Sequence, residues 1–471
     1  MGTAFDTARS ANHALAAALP PGAWLTGEAC APYLTDVMHY QGNALGVALP
    51  DSVAQLSALV RAAVAHRVTL LPQGERTGLT GAAIPDRSGA QCVVSFTRMK
   101  RIRHFDRVNR SITVEAGALL SEVNRHVEAA GLCLPIDLGS DPCVGGLVGA
   151  NAGGSRLVKY GSTRHNVLGV EAVLADRDGS VLDLLAALRK NNVGLDLKQL
   201  FIGAGGANGL ISAVSFSLAP IERSSHTLLI ALASYEAATS SLMAFEAAFG
   251  ELLSAYEFIS ATALRRVAAA FPHITTPFAD SDAACFVLVE IASGMPGLDS
   301  LLEARALEVV EALVDNHAVL DAVFAQSERF WRIRDSLPLA VAQDALPLSF
   351  DISFTRGALA PFLVETAQWF AAQHPSLGYY EFGHFGDGGC HLIIAIPLAL
   401  IEQYGPMRQI VLRRELYQRV LRHGGSFSAE HGIGPGNVAY YRKFVPPVVQ
   451  VASGIVQRAL DPHALVGRVQ Y

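Results

Sequence analysis

Two short islands near the C-terminus carry residue types that could do chemistry: Gly383-His384-Phe385-Gly386-Asp387-Gly388-Gly389-Cys390-His391 and Ser428-Ala429-Glu430-His431-Gly432-Ile433-Gly434. Together they bring three imidazoles and the Glu430 carboxylate into a glycine-rich setting. His384 and His391 are seven residues apart. On a continuous strand that is roughly 23 Å, too far for two side chains to share one ion. Gly386, Gly388 and Gly389 let the backbone double back, because glycine alone takes positive φ cheaply. On a reversed chain both rings face one point, and Glu430 completes a His/His/Glu set. Three N/O ligands with an open position are what a catalytic zinc-type site needs. His431 would then stand beside the metal, free to move a proton. His384 alone would read as an ordinary core or surface histidine; the Gly-Asp-Gly turn between the two rings is what makes a site.

A site of this kind needs a frame, and three glycine segments earlier in the chain suggest a phosphate-bearing cofactor. Pro72-Gln73-Gly74-Glu75-Arg76-Thr77-Gly78-Leu79-Thr80-Gly81 follows a short apolar run. Glycines there bring backbone N–H groups close to an anion, and Thr77 or Thr80 adds a hydroxyl. The segment lacks the Lys-Ser/Thr of a P-loop, which argues against nucleotide triphosphate hydrolysis. The second segment is Gly145-Gly146-Leu147-Val148-Gly149-Ala150-Asn151-Ala152-Gly153-Gly154, and the third is Gly203-Ala204-Gly205-Gly206-Ala207-Asn208-Gly209. The third misses G-x-G-x-x-G at Asn208 and leads into the strand-like Leu210–Leu218, so a Rossmann βαβ unit is rejected.

At 471 residues the chain implies two or three domains. With 51 % hydrophobic and 17 % charged residues it is globular, with large buried areas. A net charge of −6 argues against a nucleic-acid surface. No apolar run reaches the length of a membrane span; Leu392–Ile401 comes nearest and contains Pro397. Met1 to Pro21 shows no secretory h-region, and the six scattered cysteines form no C-x-x-C pair, so a cytoplasmic protein with reduced thiols is expected.

Helices and strands alternate over the first 220 residues. Ser52–His66 and Leu119–Ala130 read as helices; Val68–Leu71 and Ser111–Ala116 read as strands. Gly139–Gly161 reads as mostly turns and close-packed loops, and a strand pair is expected to flank Gly203–Gly209. Past Ile221, strands at Leu228–Ala233 and Cys285–Ile291 surround long helices such as Leu298–His317, an α+β pattern.

Pro72–Gly81, Asn151-Ala152-Gly153-Gly154, Lys159-Tyr160-Gly161-Ser162-Thr163-Arg164-His165-Asn166-Val167-Leu168-Gly169 and Phe201-Ile202-Gly203 together resemble the flavin domain of vanillyl-alcohol-oxidase-type FAD enzymes. The Gly-His-Phe-Gly-Asp-Gly and Glu-His-Gly-Ile-Gly motifs narrow the resemblance to the FAD-dependent D-2-hydroxy-acid dehydrogenases, a group of D-2-hydroxyglutarate, D-lactate and glycolate enzymes. It implies an α+β architecture: a two-subdomain FAD-binding unit over residues 1–220, an α+β substrate (cap) domain over 221–377, and a C-terminal segment over 378–471 that completes the active site. It implies FAD held by Gly74, Arg76, Thr77, Gly78, Gly81, Gly146, Asn151, Gly154, Gly203 and Gly209. FAD is expected to be noncovalent, since the first loop has no histidine. His384, His391 and Glu430 match the family's divalent-metal ligands and His431 its proposed base. Zinc suits the donors, with Mn²⁺, Fe²⁺ and Co²⁺ left open. Phe330-Trp331-Arg332-Ile333-Arg334-Asp335 matches a family segment whose arginine clamps the substrate carboxylate, which makes Arg334 the candidate clamp.

The reaction so implied is oxidation of a D-2-hydroxy acid to the 2-oxo acid, with hydride passing to flavin N5 and electrons then to a flavoprotein or quinone; a homodimer is left open. The alternatives are an oxidase using oxygen and a FAD-binding subunit of a glycolate-oxidase-like complex. Three positions depart from the 2-hydroxyglutarate pattern: Ser349 stands where that branch has Lys, and Gly389 and Ile393 where it has Asn. Those losses remove partners for a distal carboxylate and point to D-lactate-like acids.

Overall fold

The computed structural model describes residues 2–278, 280–325 and 327–471. They form two compact units: residues 1–153, 162–221 and 430–471 in the first, residues 154–161 and 222–429 in the second.

The first unit carries two principal sheets. Strands β1 (Trp24–Leu25), β2 (Gly46–Ala48), β3 (Leu70–Gln73) and β4 (Cys92–Ser95) form the first, in the order β1-β2-β4-β3. β2, β4 and β3 are parallel, and every residue of β2 and β4 is buried. Such uniformly apolar short strands are what a sheet covered on both faces requires. The helix Val53–His66 makes the crossover from β2 to β3 and buries Leu56, Leu59, Val60 and Ala63. The strand expected at 68–71 begins at Leu70, because Arg67 takes a left-handed φ of 54° that closes the preceding helix.

The second sheet is antiparallel, with β5 (Ile102–Asp106), β6 (Ser111–Glu115), β8 (Val167–Val173), β9 (Val181–Asp183) and β10 (Leu210–Ser217) in the order β5-β6-β10-β8-β9. A small ribbon pairs β7 (Leu132–Cys133) with β11 (Ala219–Pro220). The last residues of the chain return to this unit. Leu70 donates to Leu465 O at 2.7 Å and accepts from Gly467 N at 2.9 Å.

Two sequence expectations need correcting. The glycine-dense stretch 139–161 holds short helices, Val144–Ala150 and Leu157–Tyr160, the first pressed against Ala116, where a Cβ at Gly145 would lie 2.8 Å from Ala116 Cβ. Gly203–Gly209 is preceded by a 3-10 turn, Leu197–Leu200, and only followed by a strand.

The second unit is built on a seven-stranded antiparallel sheet. Its members are β12 (Ser224–Leu232), β13 (Leu253–Ser260), β14 (Cys285–Ser293), β15 (Val319–Ala325), β16 (Ala345–Ser353), β17 (Gly378–Gly383) and β18 (Gly389–Pro397), in the order β15-β12-β14-β13-β17-β18-β16. β13 and β14 are buried along their whole length, so each face of the sheet is covered. One face packs on the helices Ala261–Ala270 and Ser327–Ala342 through Leu264, Val267, Phe330, Ile333 and Leu337. Side chains alternate between faces along each strand, so a polar residue on β13 or β14 is buried whichever way it points. Among the described residues no disulfide links the six cysteines, and no helix is long and apolar enough to cross a membrane.

Candidate active site

The face of the second unit's sheet that bears Ser327–Ala342 also carries the first histidine island. β17 and β18 form a hairpin whose connection is a single 3-10 turn, Phe385–Asp387, closed by Gly388 at φ 89°. A Cβ at Gly388 would lie 2.1 Å from Phe354 O, so glycine is required there on both counts. Gly386 answers a different need: a Cβ would lie 2.7 Å from Val158 Cγ2, so this glycine admits close packing and not a turn. The reversal places His391 opposite Phe382 on β17 and opposite Asp351 on β16.

The two imidazoles converge as the spacing argument required. His384 Nε2 and His391 Nε2 are 3.3 Å apart, with the rings nearly perpendicular. His384 has a buried carboxylate hydrogen-bonded at its other nitrogen, and a second buried carboxylate lies near His391 beyond hydrogen-bond reach. His384 Nδ1 is 2.6 Å from Glu257 Oε1, and His391 Nδ1 is 3.9 Å from Asp351 Oδ1. Two nitrogens bound at about 2.0–2.1 Å to one tetrahedral ion lie roughly 3.3–3.4 Å apart, and metal-bound histidines characteristically give their second nitrogen to a carboxylate. The pair therefore fits two ligands of one divalent ion.

Arg334 projects from Ser327–Ala342 into the same cluster. Its Nε donates to Glu257 Oε2 at 2.9 Å, and its Nη2 is 3.4 Å from His384 Nε2. Its link to Asp335 is longer, at 3.6 Å, and the side chain is largely buried, so it is not a solvated helix-face charge. Burial pushes the Glu257 carboxyl up, but its pairing with His384 and Arg334 outweighs this and holds it at about 2. One turn earlier, Trp331 Nε1 donates to Glu290 Oε2 at 2.9 Å, and Arg156 Nε donates to Glu290 Oε1 at 2.8 Å. Glu257 and Glu290 lie on adjacent strands and the same face, since Glu290 pairs with Ala255.

Glu430 and His431 belong to the last stretch of the first unit, directly after Ala429. Within the second unit, residues 426–429 run along β16. Ser426 and Ser353 exchange backbone hydrogen bonds, and Ala429 N donates to Asp351, to O at 3.3 Å and Oδ2 at 3.1 Å. Glu257, Glu290 and Asp351 are the residues that sequence reasoning passed over. The usable signal was a lone carboxylate inside an otherwise uncharged strand, as in Leu253–Ser260, where a charge is costly unless it has a task.

In the first unit the three glycine segments meet. A Cβ at Gly74 would lie 2.2 Å from Cys143 Sγ, and one at Gly206 would lie 2.5 Å from Pro72 Cγ. Gly203 N donates to Val148 O and Gly205 N to Gly149 O. Gly146 lies beside Cys143, and Gly209, at φ 148°, packs against Phe201 and Val173 O. The loop after β3 is closed by buried Gln73, whose Nε2 donates to Tyr33 O and Ala83 O. Between those clamps the N–H groups of Arg76, Thr77, Gly78 and Leu79 donate to no acceptor among the described residues. Arg76 has a φ of 58° and lies over the Tyr33 ring, while Gly81 has a φ of 70° and backs onto Tyr40. Gln73 Oε1 and Asn208 Oδ1 are buried without a hydrogen-bond partner among the described residues. Unpaired N–H groups on a glycine loop, with buried polar atoms beside it, fit a phosphate-bearing cofactor. Asn151 Oδ1 is engaged by Ser162 Oγ and Arg164 N, and Gly154 opens the short stretch of chain assigned to the second unit.

Comparison with known proteins identifies the class. Residues 44–185 match the FAD binding domain family, and residues 221–468 match the FAD linked oxidases, C-terminal domain. The chain is 33 % identical over 431 residues to a D-2-hydroxyglutarate dehydrogenase of Xanthomonas citri, covering 90 % of this chain and 88 % of that protein. It is 32 % identical over 444 residues to the mitochondrial D-2-hydroxyglutarate dehydrogenase of Arabidopsis thaliana, covering 92 % and 76 %. A mitochondrial protein of Schizosaccharomyces pombe, provisionally named a D-lactate dehydrogenase, is 31 % identical and covers 84 % and 75 %. In fold, the chain resembles alkyldihydroxyacetonephosphate synthase (TM-score 0.70, 15 % identity, 97 % of this chain and 84 % of that one). It likewise resembles the 4-ethylphenol oxidase of Gulosibacter chungangensis (TM-score 0.68, 16 % identity, 97 % and 95 %). The fold is that of the vanillyl-alcohol-oxidase-type flavoenzymes. The chain belongs to the FAD-linked D-2-hydroxy-acid dehydrogenase family and is an oxidoreductase acting on a CH–OH group.

Proposed function

We propose that the protein oxidises a D-2-hydroxy acid to the 2-oxo acid, with noncovalent FAD and a divalent metal as cofactors. The observation that carries this reading is the convergence of His384 and His391 Nε2 atoms at 3.3 Å, with the Glu257 carboxylate behind His384 at 2.6 Å.

The first unit supplies the FAD cradle: Gly74, Arg76, Thr77, Gly78, Gly81, Gly146, Asn151, Gly203 and Gly209, with Gly154 contributed by the next stretch of chain. Its free N–H groups at 76–79 and the Arg76 guanidinium would hold the diphosphate. FAD supplies the two-electron chemistry. His384, His391 and Glu430 would hold the metal, which supplies Lewis acidity toward the substrate hydroxyl. Zinc suits this donor set. Arg334 holds the substrate carboxylate, and its Nη nitrogens suit that task because Nε is engaged by Glu257. His431 takes the hydroxyl proton.

Among such acids we favour those with short or apolar side chains. Ser349 and Ile393 are direct cross-strand partners on the face that carries Asp351 and His391, one pleat along. Ile393 is buried in apolar packing. Arg413 bonds to Ser349 O, but its guanidinium lies over Phe350, which points to the other face. A distal carboxylate would therefore meet neither an amide nor an ammonium at these positions. Anaerobic bleaching of the flavin against a panel of D- and L-2-hydroxy acids, with elemental analysis of the same sample, tests the reading. Bleaching by D-acids and one divalent ion per chain are expected; an unbleached flavin with every acid would overturn it.

A further inference from the structure

Glu257 lies in a strand whose eight residues are all buried. A carboxylate in such a place is costly unless both oxygens are hydrogen-bonded and its charge is matched. Here Oε1 faces His384 Nδ1 at 2.6 Å, and Oε2 accepts from Arg334 Nε at 2.9 Å. The two partners differ in kind. Every guanidinium nitrogen is a donor and stays protonated, whereas a neutral imidazole carries one proton whose position is set by the partner it meets. A carboxylate opposite Nδ1 puts the proton there and leaves a lone pair on Nε2, the atom that faces His391.

We propose that Glu257 is a positioning residue with two outputs. It fixes His384 as the Nδ1–H tautomer, so that Nε2 can ligate a metal, and it takes Nε of Arg334, which turns the guanidinium's Nη edge toward the imidazole pair. The first output rests on the metal reading above; the tautomer itself does not. An ion pair that merely pinned Ser327–Ala342 to the sheet would be satisfied by Arg334 alone and would have no use for the imidazole.

The glutamine variant separates these roles. In Glu257→Gln the new amide has one acceptor and one donor end. Arg334 can only donate, so the oxygen must face it, and the NH₂ then faces His384 Nδ1. That nitrogen must become the acceptor, and the proton moves to Nε2. With zinc alone titrated into FAD-loaded protein against a chromophoric chelator, affinity should fall about 10–100-fold, the usual cost of losing an outer carboxylate behind a metal-bound histidine. Adding Arg334→Met removes the obligate donor and lets the amide oxygen turn back to His384 Nδ1–H. Zinc affinity should then recover, although activity falls further. In metal-free protein at about pH 9, where an imidazole is neutral, the ¹⁵N shifts of His384 (assigned by their loss in His384→Asn) should report a protonated Nδ1 in wild type and a protonated Nε2 in E257Q. If wild type takes up no zinc, the metal reading fails while the tautomer comparison still decides the role of Glu257. If both proteins show the same tautomer, or E257Q/R334M binds zinc no better than E257Q, the proposal is overturned.

Discussion

His384 and His391 stand seven residues apart in the chain, yet their Nε2 atoms lie 3.3 Å apart because the β17–β18 hairpin turns over a single left-handed glycine, Gly388. That relationship makes them a unit. Replacing either with Ala should abolish the proposed metal binding while the flavin stays, because the 74–81, 145–151 and 203–209 loops belong to the other unit. Elemental analysis and the visible flavin spectrum of each variant check this, and full metal content in either one would contradict it. His431→Ala should keep the metal and lose roughly 10²–10⁴-fold in turnover, the ordinary contribution of a general base.

The glycine cradle gives a prediction with a built-in rescue. At Gly74 an added Cβ would lie 2.2 Å from Cys143 Sγ but 3.7 Å from Cys143 Cβ. Gly74→Ala should therefore cost about 1–3 kcal/mol, as overpacking does. Gly74→Ala with Cys143→Ala should regain most of it. Thermal melts of the two FAD-loaded proteins decide; an undisturbed single variant would mean that the loop is not pinned against Cys143. With the flavin held noncovalently, as proposed, acid precipitation of wild type should leave all the yellow colour in the supernatant; colour left in the pellet would contradict it.

A buried carboxyl on the opposite face of the same sheet sets a pH dependence. Glu381 accepts from Tyr235 Oη at 2.7 Å and Tyr379 Oη at 2.8 Å, and burial still pushes it from 4.5 up to about 7. The folded form keeps its proton where the unfolded chain has lost it. The stability it contributes is fully present below about pH 4.5 and is lost as pH rises to about 7, a change of ~3 kcal/mol. Denaturant unfolding of wild type and Glu381→Gln at both ends of that window should show wild type losing ground to the variant by this amount. A constant difference would mean that the carboxyl is already ionised in the fold.

What the sequence made legible follows from where each kind of signal lives. The histidine island was readable because imidazoles and glycines cluster within nine residues, and local geometry then dictates what they can do. The three glycine loops were readable one at a time, but that Gly74 meets Cys143 and Gly206 meets Pro72 depends on pairings across more than sixty residues. Glu257, Glu290 and Asp351 were missed for the same reason. Each is one carboxylate in a strand, and its meaning comes only from the neighbouring strands and from the helix that carries Trp331 and Arg334. The turn at Gly139–Gly161 was misread because short helices built on glycine lack the apolar periodicity that marks longer ones.

Substrate choice is the most exacting test of the site. Position 349 shares its sheet face with Asp351 and His391 and faces Ile393 directly. A Cβ at Gly389 would come within 2.8 Å of Asp387 Oδ1 and 3.2 Å of His384 Cβ, so a larger residue there would crowd the first imidazole. Under the proposed function Arg334 still serves the carboxylate next to the hydroxyl. D-lactate-like acids should therefore outperform D-2-hydroxyglutarate by roughly 10-fold in kcat/KM, because the exposed Ser349 and the buried Ile393 give its second carboxylate no charged partner. Ser349→Lys places an ammonium on that face and should shift the preference toward the diacid. The measurement is kcat/KM for both acids in wild type and S349K. A wild type that already prefers the diacid would show that a cation from elsewhere in the fold serves the distal carboxylate, and that Ser349, Gly389 and Ile393 do not set specificity.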